Sequence, residues 1–412
     1  MDLSTTTRVM ETGRPSRLDR LARAAVVRAL ARMPKGTLHI REPDGRRLTL
    51  GQGEPEAELT ITDHRAWRRM MTGGALGAAE AFIEGYWEAA DLVSVIRFFA
   101  ANVEPMQTRD RTGLRRLARP ARALWQWSRR NTRAGARRNI EAHYDLGNDF
   151  FALFLDRQMQ YSSAVYPHAA ASLEEASEHK LTLICDQLEL TPDTHLLEVG
   201  TGWGGLAIHA ASEYGCRVTT ATISPEQYRH ACEAVRAAGL EDRITVLECD
   251  YRELTGTYDR IVSVEMIEAV GPEYLSTYFR KLGELMRPDG LLLLQAITVP
   301  DRRYKAALRN TDFIKRYVFP GGFLPSVRVL VDEMSRHTRL TPMALRDIGQ
   351  DYAQTLAHWR ERFDAAREQV REQGFDRRFR RLWHYYLCYC EGAFRERAIS
   401  TVQLLAAGPE RR

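Results

Sequence analysis

The chain has 412 residues, 44% of them hydrophobic and 27% charged, a composition typical of a globular protein with two or three domains. No apolar run approaches ~18 residues and no hydrophobic segment opens the chain, so we predict neither a transmembrane helix nor a signal peptide. The six cysteines include no C-x-x-C pair. We therefore expect reduced thiols, no metal site and a cytoplasmic location.

Residues 1–105 predict a small accessory α+β domain. Apolar residues at helical spacing cover 18–33, and the turn Pro43-Asp44-Gly45 favours a β-hairpin. No residue in this domain suggests catalysis. We predict strands at 37–41, 46–50 and 57–62, and further helices at 63–72, 75–83 and 92–101.

A basic segment at 109–138 holds eleven arginines and a single acid, Asp110. Apolar residues, including Trp125 and Trp127, are interleaved with the arginines. Such a segment suits an anionic membrane surface, where each nearby cation contributes roughly 1 kcal/mol. A solvated linker and a nucleic-acid contact fit the same charge. We treat 106–140 as a connection between two domains.

From residue 141 onward, strands and helices alternate in the way that is typical of a parallel sheet. The turn at 287–290 precedes the fifth strand, residues 299–396 predict an insertion of helices and loops, and 399–406 alternates like a late edge strand. The predicted strands are 196–199, 217–222, 244–248, 258–264 and 291–297, and the predicted helices are 173–188, 206–214, 225–238 and 273–286.

The rest of this domain is organised around residues 196–205. A short apolar strand ends at Gly200, Gly202 and Gly204, and a helix begins directly afterwards. Glycines permit a tight turn and a close approach of the backbone to a ligand, and the helix N-terminus offers free N–H groups. With the acidic Glu198 before the glycines, this spacing resembles the S-adenosylmethionine (SAM) loop of class I methyltransferases. It lacks the Gly-x-Gly-x-x-Gly of a dinucleotide fold.

Six sequence blocks occur in the order found in one family, at 143–151, 198–204, 223–228, 250–252, 317–326 and 351–356. Together they resemble the cyclopropane-fatty-acyl-phospholipid synthases and their mycolic acid and branched-lipid methyltransferase relatives. The resemblance covers roughly 140–400. It implies an α/β class I SAM methyltransferase fold over 141–412, with a Rossmann-like seven-stranded sheet and a helical, lipid-binding lid at about 299–396.

The resemblance also implies that SAM lies across the carboxyl ends of the strands, where ligands of open α/β sheets bind. For Thr222 and Gln227, which the resemblance places at the ribose, the alternative role is that of a polar helix cap. The implied contacts are Tyr161 and Ser162 closing over SAM, Glu198, Gly200, Gly202 and Gly204 at the glycine turn, Thr222 and Gln227 at the ribose, and Asp250 with Tyr251 near the adenine.

In this family a cysteine, a glutamate, a histidine and a tyrosine hold the bicarbonate ion that removes a methyl proton as the cyclopropane ring closes. The glutamate matches Glu268 and the tyrosine matches Tyr352. Ser163 stands where the family has cysteine, Gln295 where it has histidine, and Ala269 where a second histidine is usual. Because two of the four ligands are replaced, we expect little bicarbonate dependence, Glu268 as the base and a non-cyclised product.

The sequence therefore predicts a SAM-dependent C-methyltransferase of unsaturated phospholipid acyl chains, peripheral at the inner membrane surface. Its product would be methyl- or methylene-branched, or a furan precursor, completed by a partner reductase or desaturase. Alternatives are a true cyclopropane synthase, a nucleic-acid methyltransferase and a non-catalytic lipid-binding paralogue. Residues 263–268 follow the fourth strand without the Asn/Asp-Pro-Pro-Tyr type of loop, which disfavours a nucleic-acid substrate. A homodimer is left open.

Overall fold

The computed structural model describes residues 15–104 and 146–411. The chain divides into two compact units, residues 1–110 with Arg377–Tyr385, and Arg111–Asp376 with Tyr386–Arg412. The basic segment at 109–138 lies outside the described residues, so its membrane role stays a prediction, as do the domain boundaries drawn from the sequence. Within the described ranges, no helix is long and apolar enough to cross a membrane.

The first unit contains a four-stranded sheet with helices. Its strands are β1 (Gly36–Arg41), β2 (Arg47–Gln52), β3 (Glu56–Ile61) and β4 (Trp87–Glu88), in the order β2-β1-β3-β4, and its helices are Arg17–Leu30, Arg65–Ile83 and Leu92–Ala101. The two helices predicted at 63–72 and 75–83 are one helix, kinked at Gly74 with φ 59°. Glycine adopts this left-handed conformation without a steric cost, so the chain bends there and continues.

The second unit contains a seven-stranded sheet, as predicted. Its strands are β5 (His195–Val199), β6 (Arg217–Thr222), β7 (Ile244–Glu248), β8 (Tyr258–Val264), β9 (Met286–Thr298), β10 (Thr341–Asp347) and β11 (Ser400–Ala407). Its helices are Asn148–Ala152, Leu173–Gln187, Gly205–Tyr214, Pro225–Ala237, Leu275–Leu285, Asp301–Arg309, Phe313–Tyr317, Val327–His337, Gly349–Ala365, Arg367–Glu372 and the second half of Arg377–Arg395. Short 3-10 turns lie at Tyr251–Glu253, Ile267–Ala269 and Pro272–Tyr274.

The strand order of this sheet is β10-β11-β9-β8-β5-β6-β7. Strand β5 pairs in parallel with both β6 and β8, so the order reverses at β5. Ligands of open α/β sheets bind at such a reversal, beside the carboxyl ends of the strands. Gly200 follows β5 and Glu265 follows β8 directly, so both residues come at this edge of the sheet.

The sheet is buried on both faces. Successive side chains of a strand point to opposite faces. Accordingly, Leu197 and Leu294 belong to one core layer, while Leu196 and Leu293 belong to the other. All four leucines have no exposed surface, and burying each contributes about 1.5–3 kcal/mol. This double burial explains the near-continuous apolar runs from which the strands were predicted.

The prediction of an edge strand at 399–406 is wrong. Strand β11 lies between β9 and β10 and is antiparallel to both. The alternation that suggested an exposed face comes from Thr401 and Gln403, which are 0% and 1% exposed. Gln403 is buried because it hydrogen-bonds to Gln295 on β9, and a buried polar pair cannot be told from an exposed face by periodicity alone.

The edge strand is β10, within a segment predicted to hold only helices and loops. All seven residues from Thr341 to Asp347 are exposed, so β10 lacks the buried apolar residues that identify a strand in a sequence. The predicted turn at 287–290 also differs, because β9 already begins at Met286. The pairing of β8 with β9 shifts register between Tyr258 and Arg260. This shift accommodates residues 287–290 within β9.

Candidate functional site

The glycine turn after β5 leaves open space beside the backbone. Gly200, Gly202 and Gly204 have φ values of 109°, 54° and 93°. A Cβ atom at Gly200 would lie 3.2 Å from Met266, and one at Gly204 would lie 3.3 Å from Ala231. A Cβ atom at Gly202 would have no neighbour within 4 Å among the described residues. The face of the turn at Gly202 is therefore the one that a ligand can approach.

The helix Gly205–Tyr214 starts at this turn with Gly204 as its N-cap. No side chain in the described structure caps its first N–H groups. The next helix, Pro225–Ala237, is instead capped by Ser224, whose Oγ accepts a hydrogen bond from Gln227 N at 3.3 Å. An uncapped helix start carries free donors and a partial positive charge, so it suits a carboxylate such as that of a methionine group.

Glu198 lies beneath the turn and is 4% exposed. Thr220 donates a hydrogen bond to Glu198 Oε2 at 2.6 Å, and the hydroxyls of Thr220 and Thr201 are 2.8 Å apart. Burial raises the pKa of Glu198 to about 8, although the Thr220 hydrogen bond lowers it. The structure thus places this side chain where it supports the turn through Thr220 and Thr201. Its cofactor contact stays a prediction.

Thr222 and Gln227 meet at the end of β6. Thr222 Oγ1 donates to Gln227 Oε1 at 3.0 Å and accepts a hydrogen bond from Ser224 N at 3.1 Å. Both side chains are buried, at 7% and 6% exposure. The structure brings the two predicted ribose contacts together, and it also makes them part of the helix start that was their alternative role.

Asp250 and Tyr251 follow β7. Both carboxylate oxygens of Asp250 accept hydrogen bonds from Arg252, with Oδ2 2.6 Å from Nη2 and Oδ1 2.7 Å from Nε. The ring of Tyr251 packs edge-on against Tyr278 with centroids 5.4 Å apart. Burial raises the pKa of the Tyr251 hydroxyl to about 12. These residues lie beyond the β6 pair along the same edge of the sheet, and an adenine contact remains a prediction.

Tyr161 and Ser162 lie on the segment that was predicted to close over SAM. The Tyr161 hydroxyl is 2.9 Å from the Tyr386 hydroxyl, and its ring stacks on Trp359 with centroids 5.3 Å apart. Ser162 Oγ accepts a hydrogen bond from Lys180 Nζ at 3.0 Å. The segment is therefore held from one side by aromatic rings and from the other by a buried cation.

Lys180 lies on the helix Leu173–Gln187 and has no exposed surface. Burial lowers the pKa of its ammonium group to about 8, while the charges of Asp156, Glu265 and Glu198 act in the opposite direction. Sequence analysis missed this residue because a lysine within a helical pattern is typically exposed. A buried cation among three carboxylates stabilises their ionised forms.

Glu265 is the centre of a hydrogen-bonded cluster that joins three of the predicted catalytic residues. Its Oε1 accepts hydrogen bonds from Ser163 N at 2.9 Å and from Gln295 Nε2 at 2.8 Å. Its Oε2 accepts one from the Tyr352 hydroxyl at 2.9 Å. We refer to Glu265, Ser163, Gln295 and Tyr352 as the carboxylate cluster. Sequence analysis gave Glu265 no role.

The carboxylate cluster is oriented by further contacts. Gln403 Nε2 donates to Gln295 Oε1 at 3.0 Å, which turns the NH₂ group of Gln295 towards Glu265. The Ser163 hydroxyl donates to the Ala164 carbonyl at 2.9 Å, so this residue contributes its backbone N–H to the cluster rather than its side chain. The identity of residue 163 therefore matters less to the cluster than the position of its backbone.

Glu268, the predicted base, lies on the 3-10 turn Ile267–Ala269 beside the cluster. Its Oε1 accepts a hydrogen bond from Ile297 N at 2.5 Å, and its buried Oε2 has no hydrogen-bond partner among the described residues. Burial and then the neighbouring charge of Glu265 raise the pKa of Glu268 to about 8. Both effects favour the protonated form of Glu268.

Comparison with known proteins identifies the family. The family model described as mycolic acid cyclopropane synthetase matches residues 131–404. Tuberculostearic acid methyltransferase UfaA1 of Mycobacterium tuberculosis is 37% identical over 400 residues, covering 94% of this chain and 92% of that protein. The chain belongs to the cyclopropane synthetase family. The cyclopropane-fatty-acyl-phospholipid synthase of Escherichia coli is also 37% identical, over 357 residues that cover 86% of this chain and 88% of that protein.

The crystal structure of the mycolic acid cyclopropane synthase CmaA1 complexed with SAH and CTAB has a similar fold. It matches with a TM-score of 0.62 and 30% identity, over 66% of this chain and 98% of that one. The class I SAM methyltransferase fold predicted from the sequence is confirmed. The protein is a SAM-dependent methyltransferase of a lipid-modifying family, and the open turn at Gly202 with its uncapped helix start fits the cofactor.

Proposed function

We propose that this family member methylates a carbon of the cis double bond in a phospholipid acyl chain and releases a branched, non-cyclised chain. The carboxylate cluster is the observation that supports this product. Three of the four positions that the family resemblance assigns to a bicarbonate ion, Ser163, Gln295 and Tyr352, are here hydrogen-bonded to Glu265, a carboxylate of the protein itself. The site that drives ring closure in the family is therefore built differently in this chain.

When bound, SAM would supply an electrophilic methyl group: the electron pair of the alkene forms the new C–C bond, the S–CH₃ bond breaks with its electron pair left on the sulfur of S-adenosylhomocysteine, and a carbocation remains on the neighbouring carbon. The rings of Tyr161, Trp359 and Tyr352 form a continuous aromatic wall, with successive centroids 5.3 and 6.0 Å apart. Aromatic faces attract cations, most strongly where water is excluded. This wall would stabilise the carbocation beside the carboxylate cluster.

Which proton leaves decides the product. Loss of a proton from the transferred methyl group closes the ring, or gives a methylene branch if a hydride has first shifted along the chain. Loss of a proton from the chain gives an alkene with a methyl branch. Of the two relatives above, one is named a methyltransferase and the other a cyclopropane synthase, and both are 37% identical to this chain. Overall sequence similarity therefore does not distinguish a branched product from a ring. Reduction to a saturated methyl branch would need a partner reductase.

Acyl methyl esters from a host that lacks its own acyl methyltransferases test this proposal. After growth on trideuteromethyl methionine, mass spectrometry counts the deuterium atoms that remain in the product. A methyl-branched alkene keeps three, whereas a methylene branch or a ring keeps two. Of the two products that keep two deuterium atoms, only the methylene branch has a double bond that takes up hydrogen on catalytic reduction. We expect one of the two non-cyclised products. Mostly cyclopropane, or methylated RNA without methylated lipid, would contradict the proposal.

We further propose that the protein acts peripherally at the inner membrane surface through the basic segment at 109–138. Changing Arg115, Arg116, Arg119 and Arg122 to Gln should weaken sedimentation with anionic vesicles, because each cation near such a surface contributes roughly 1 kcal/mol. Binding of the unchanged protein should also weaken steeply with salt. SAM affinity, measured by calorimetry, is the control and should stay the same. Unchanged vesicle binding would make the segment a linker.

A further inference from the structure

The bicarbonate ion that the family resemblance implies does not fit this chain. The backbone N–H of Ser163, the amide of Gln295 and the hydroxyl of Tyr352 all donate to Glu265. The backbone N–H of Ile297 donates to Glu268. These donors are therefore already satisfied by carboxylates of the chain. A second anion in the same place would lose these hydrogen bonds and would face two carboxyl groups.

The Glu265 carboxylate has the chemical features of the ion that it excludes. Both are planar groups in which two oxygens share a negative charge and accept hydrogen bonds, and both accept a proton on oxygen. Three donors converge on its two oxygens at 2.8–2.9 Å. The site thus still binds a carboxylate-like anion, but that anion is the side chain of Glu265 and not a free ion.

The backbone at Glu265 is also unusual. Its φ is 50°, in the left-handed region that non-glycine residues seldom adopt. Such conformations persist where the surrounding structure imposes them, and they cluster at functional sites. Here the bond from Glu265 N to the Gln295 carbonyl, 2.8 Å long, holds the backbone in this conformation and directs the side chain into the cluster.

We propose that Glu265 is the general base of this enzyme and takes the place of bicarbonate. This inference rests on the proposed function and names the group that completes it. The C–H bond broken next to the carbocation leaves its electron pair in the new carbon–carbon double bond, and its proton passes to the Glu265 carboxylate. Solvent water then takes up that proton. Because that proton leaves a carbon bonded directly to the cationic carbon, an alkene forms and no ring closes.

The charged and titratable groups that face Glu265 support this role. Burial and then the charge of Glu265 raise the pKa of Glu268, which favours its protonated form. Burial raises the pKa of Glu265, and the hydrogen bonds of the carboxylate cluster and then the charge of Lys180 act in the opposite direction. The hydroxyls of Tyr352 and Tyr386 stay protonated, because burial raises the pKa of both. Of the two carboxyl groups, Glu265 is the one whose ionised form is favoured by three hydrogen-bond donors, whereas Glu268 accepts from Ile297 N alone among the described residues.

Two substitutions at this position test the proposal. Glu265→Gln keeps the size and one acceptor oxygen but cannot take a proton, so kcat should fall by about 10²-fold or more with SAM affinity unchanged. Glu265→Gly removes the side chain at a backbone conformation that glycine favours. It should be inactive in bicarbonate-free buffer and regain activity when bicarbonate is added, with a larger share of cyclopropane in its product. Glu265→Gln should show no such rescue.

Glu189→Gly is the matched control. Glu189 has the same φ of 50° but follows the helix Leu173–Gln187, where its side chain pairs with Arg411. The same substitution there should leave activity unchanged and unresponsive to bicarbonate. The variant Glu268→Gln distinguishes the role of Glu268 from that of Glu265, and the quantity compared is the loss of kcat. We expect a smaller loss than for Glu265→Gln, and the reverse order would make Glu268 the base and overturn the proposal.

Binding of ¹³C-labelled bicarbonate, followed by NMR, tests the site without relying on catalysis. The Glu265→Gly variant should bind the ion, whereas the unchanged protein and Glu189→Gly should not. Binding to the unchanged protein, or none to a folded Glu265→Gly variant, would show that Glu265 does not replace bicarbonate. If the unchanged protein methylates no acyl chain, the proposed function fails, and this binding experiment still decides what occupies the anion site.

Discussion

The two ends of the candidate site are built in different ways. At the SAM end, the main features are backbone features, namely the positive φ of Gly202 and the uncapped start of Gly205–Tyr214. At the proton-transfer end, the carboxylate cluster is made by groups from separate elements meeting on Glu265. The comparison teaches that consecutive backbone groups of one turn can build a binding surface, whereas the chemistry of a cluster depends on which groups from separate elements meet there.

The largest effect is expected at the backbone-built end. Gly202→Val should abolish SAM binding, with an affinity loss of at least about 100-fold. The valine side chain would fill the open space beside Gly202 and strain a left-handed backbone of φ 54°. Calorimetry with SAM measures the loss, and thermal unfolding shows whether the fold survives.

Gly239→Val is the matched control for that experiment. Gly239 also has a left-handed φ, 67°, and open space at its Cβ position, but it follows the far end of the helix Pro225–Ala237. Both variants should lose similar stability, because each places a β-branched residue at a left-handed φ. Only Gly202→Val should lose SAM affinity. Tight SAM binding by Gly202→Val would contradict the assignment of the cofactor site.

The difference between the two ends also explains how far the sequence could predict the site. The glycine turn lies within 196–205, so spacing alone located it. The contacts of Glu265 with Ser163, Gln295 and Tyr352 span 102, 30 and 87 positions along the chain. No local pattern reports such contacts, and Glu265 was therefore missed although it follows a predicted strand directly.

The fold shows the same limit. Strands with continuous apolar runs, such as β5 and β9, were predicted because both of their faces are buried. Strand β11 was placed at the edge because its polar residue Gln403 suggested an exposed face, although it is bonded to Gln295 in the interior. Buried Lys180 was missed for the same reason. Polar residues that are buried and hydrogen-bonded inside the protein have no signature in a single sequence.

The next largest effect should come from rebuilding the family's anion site. The triple variant Ser163→Cys, Gln295→His and Glu265→Gly should depend on bicarbonate and shift the major product towards cyclopropane. The double variant that keeps Glu265 should remain independent of bicarbonate, because the carboxylate still fills the site. Gas chromatography of acyl methyl esters with and without bicarbonate measures both. A ring-forming, bicarbonate-dependent double variant would show that residues 163 and 295, and not Glu265, set the product.

A smaller effect is expected for Gln403, which orients the amide of Gln295 from strand β11. Gln403→Leu removes one buried hydrogen bond, worth about 1 kcal/mol, so kcat should fall by about tenfold or less. The hydrogen bond from Gln295 lowers the pKa of Glu265. If the Gln295 amide is no longer oriented towards Glu265, the pKa of Glu265 should rise. The acidic limb of the pH–kcat profile should therefore move to higher pH, with SAM affinity unchanged. A lower kcat without that shift would mean that Gln403 acts only through stability.

The smallest effect concerns Glu198, beneath the glycine turn. Burial raises its pKa to about 8 in the folded protein, from an ordinary value of 4.5. Between these values the folded state holds a proton that the unfolded state has lost, so stability should fall as the pH rises, by about 1 kcal/mol per pH unit. Lys180 has a pKa lowered to about 8, so the useful window is about pH 5 to 7.5. Glu268, with a similarly raised pKa, contributes its own decline in that window in every variant. In that window Glu198→Gln, which keeps an acceptor for Thr220, should flatten the decline in unfolding free energy.

Glu233→Gln, at an exposed position on the helix Pro225–Ala237, is the control, and its unfolding free energy should decline like that of the unchanged protein. Equal slopes for the two variants would show that Glu198 is ionised in the folded protein and supports the turn as an anion.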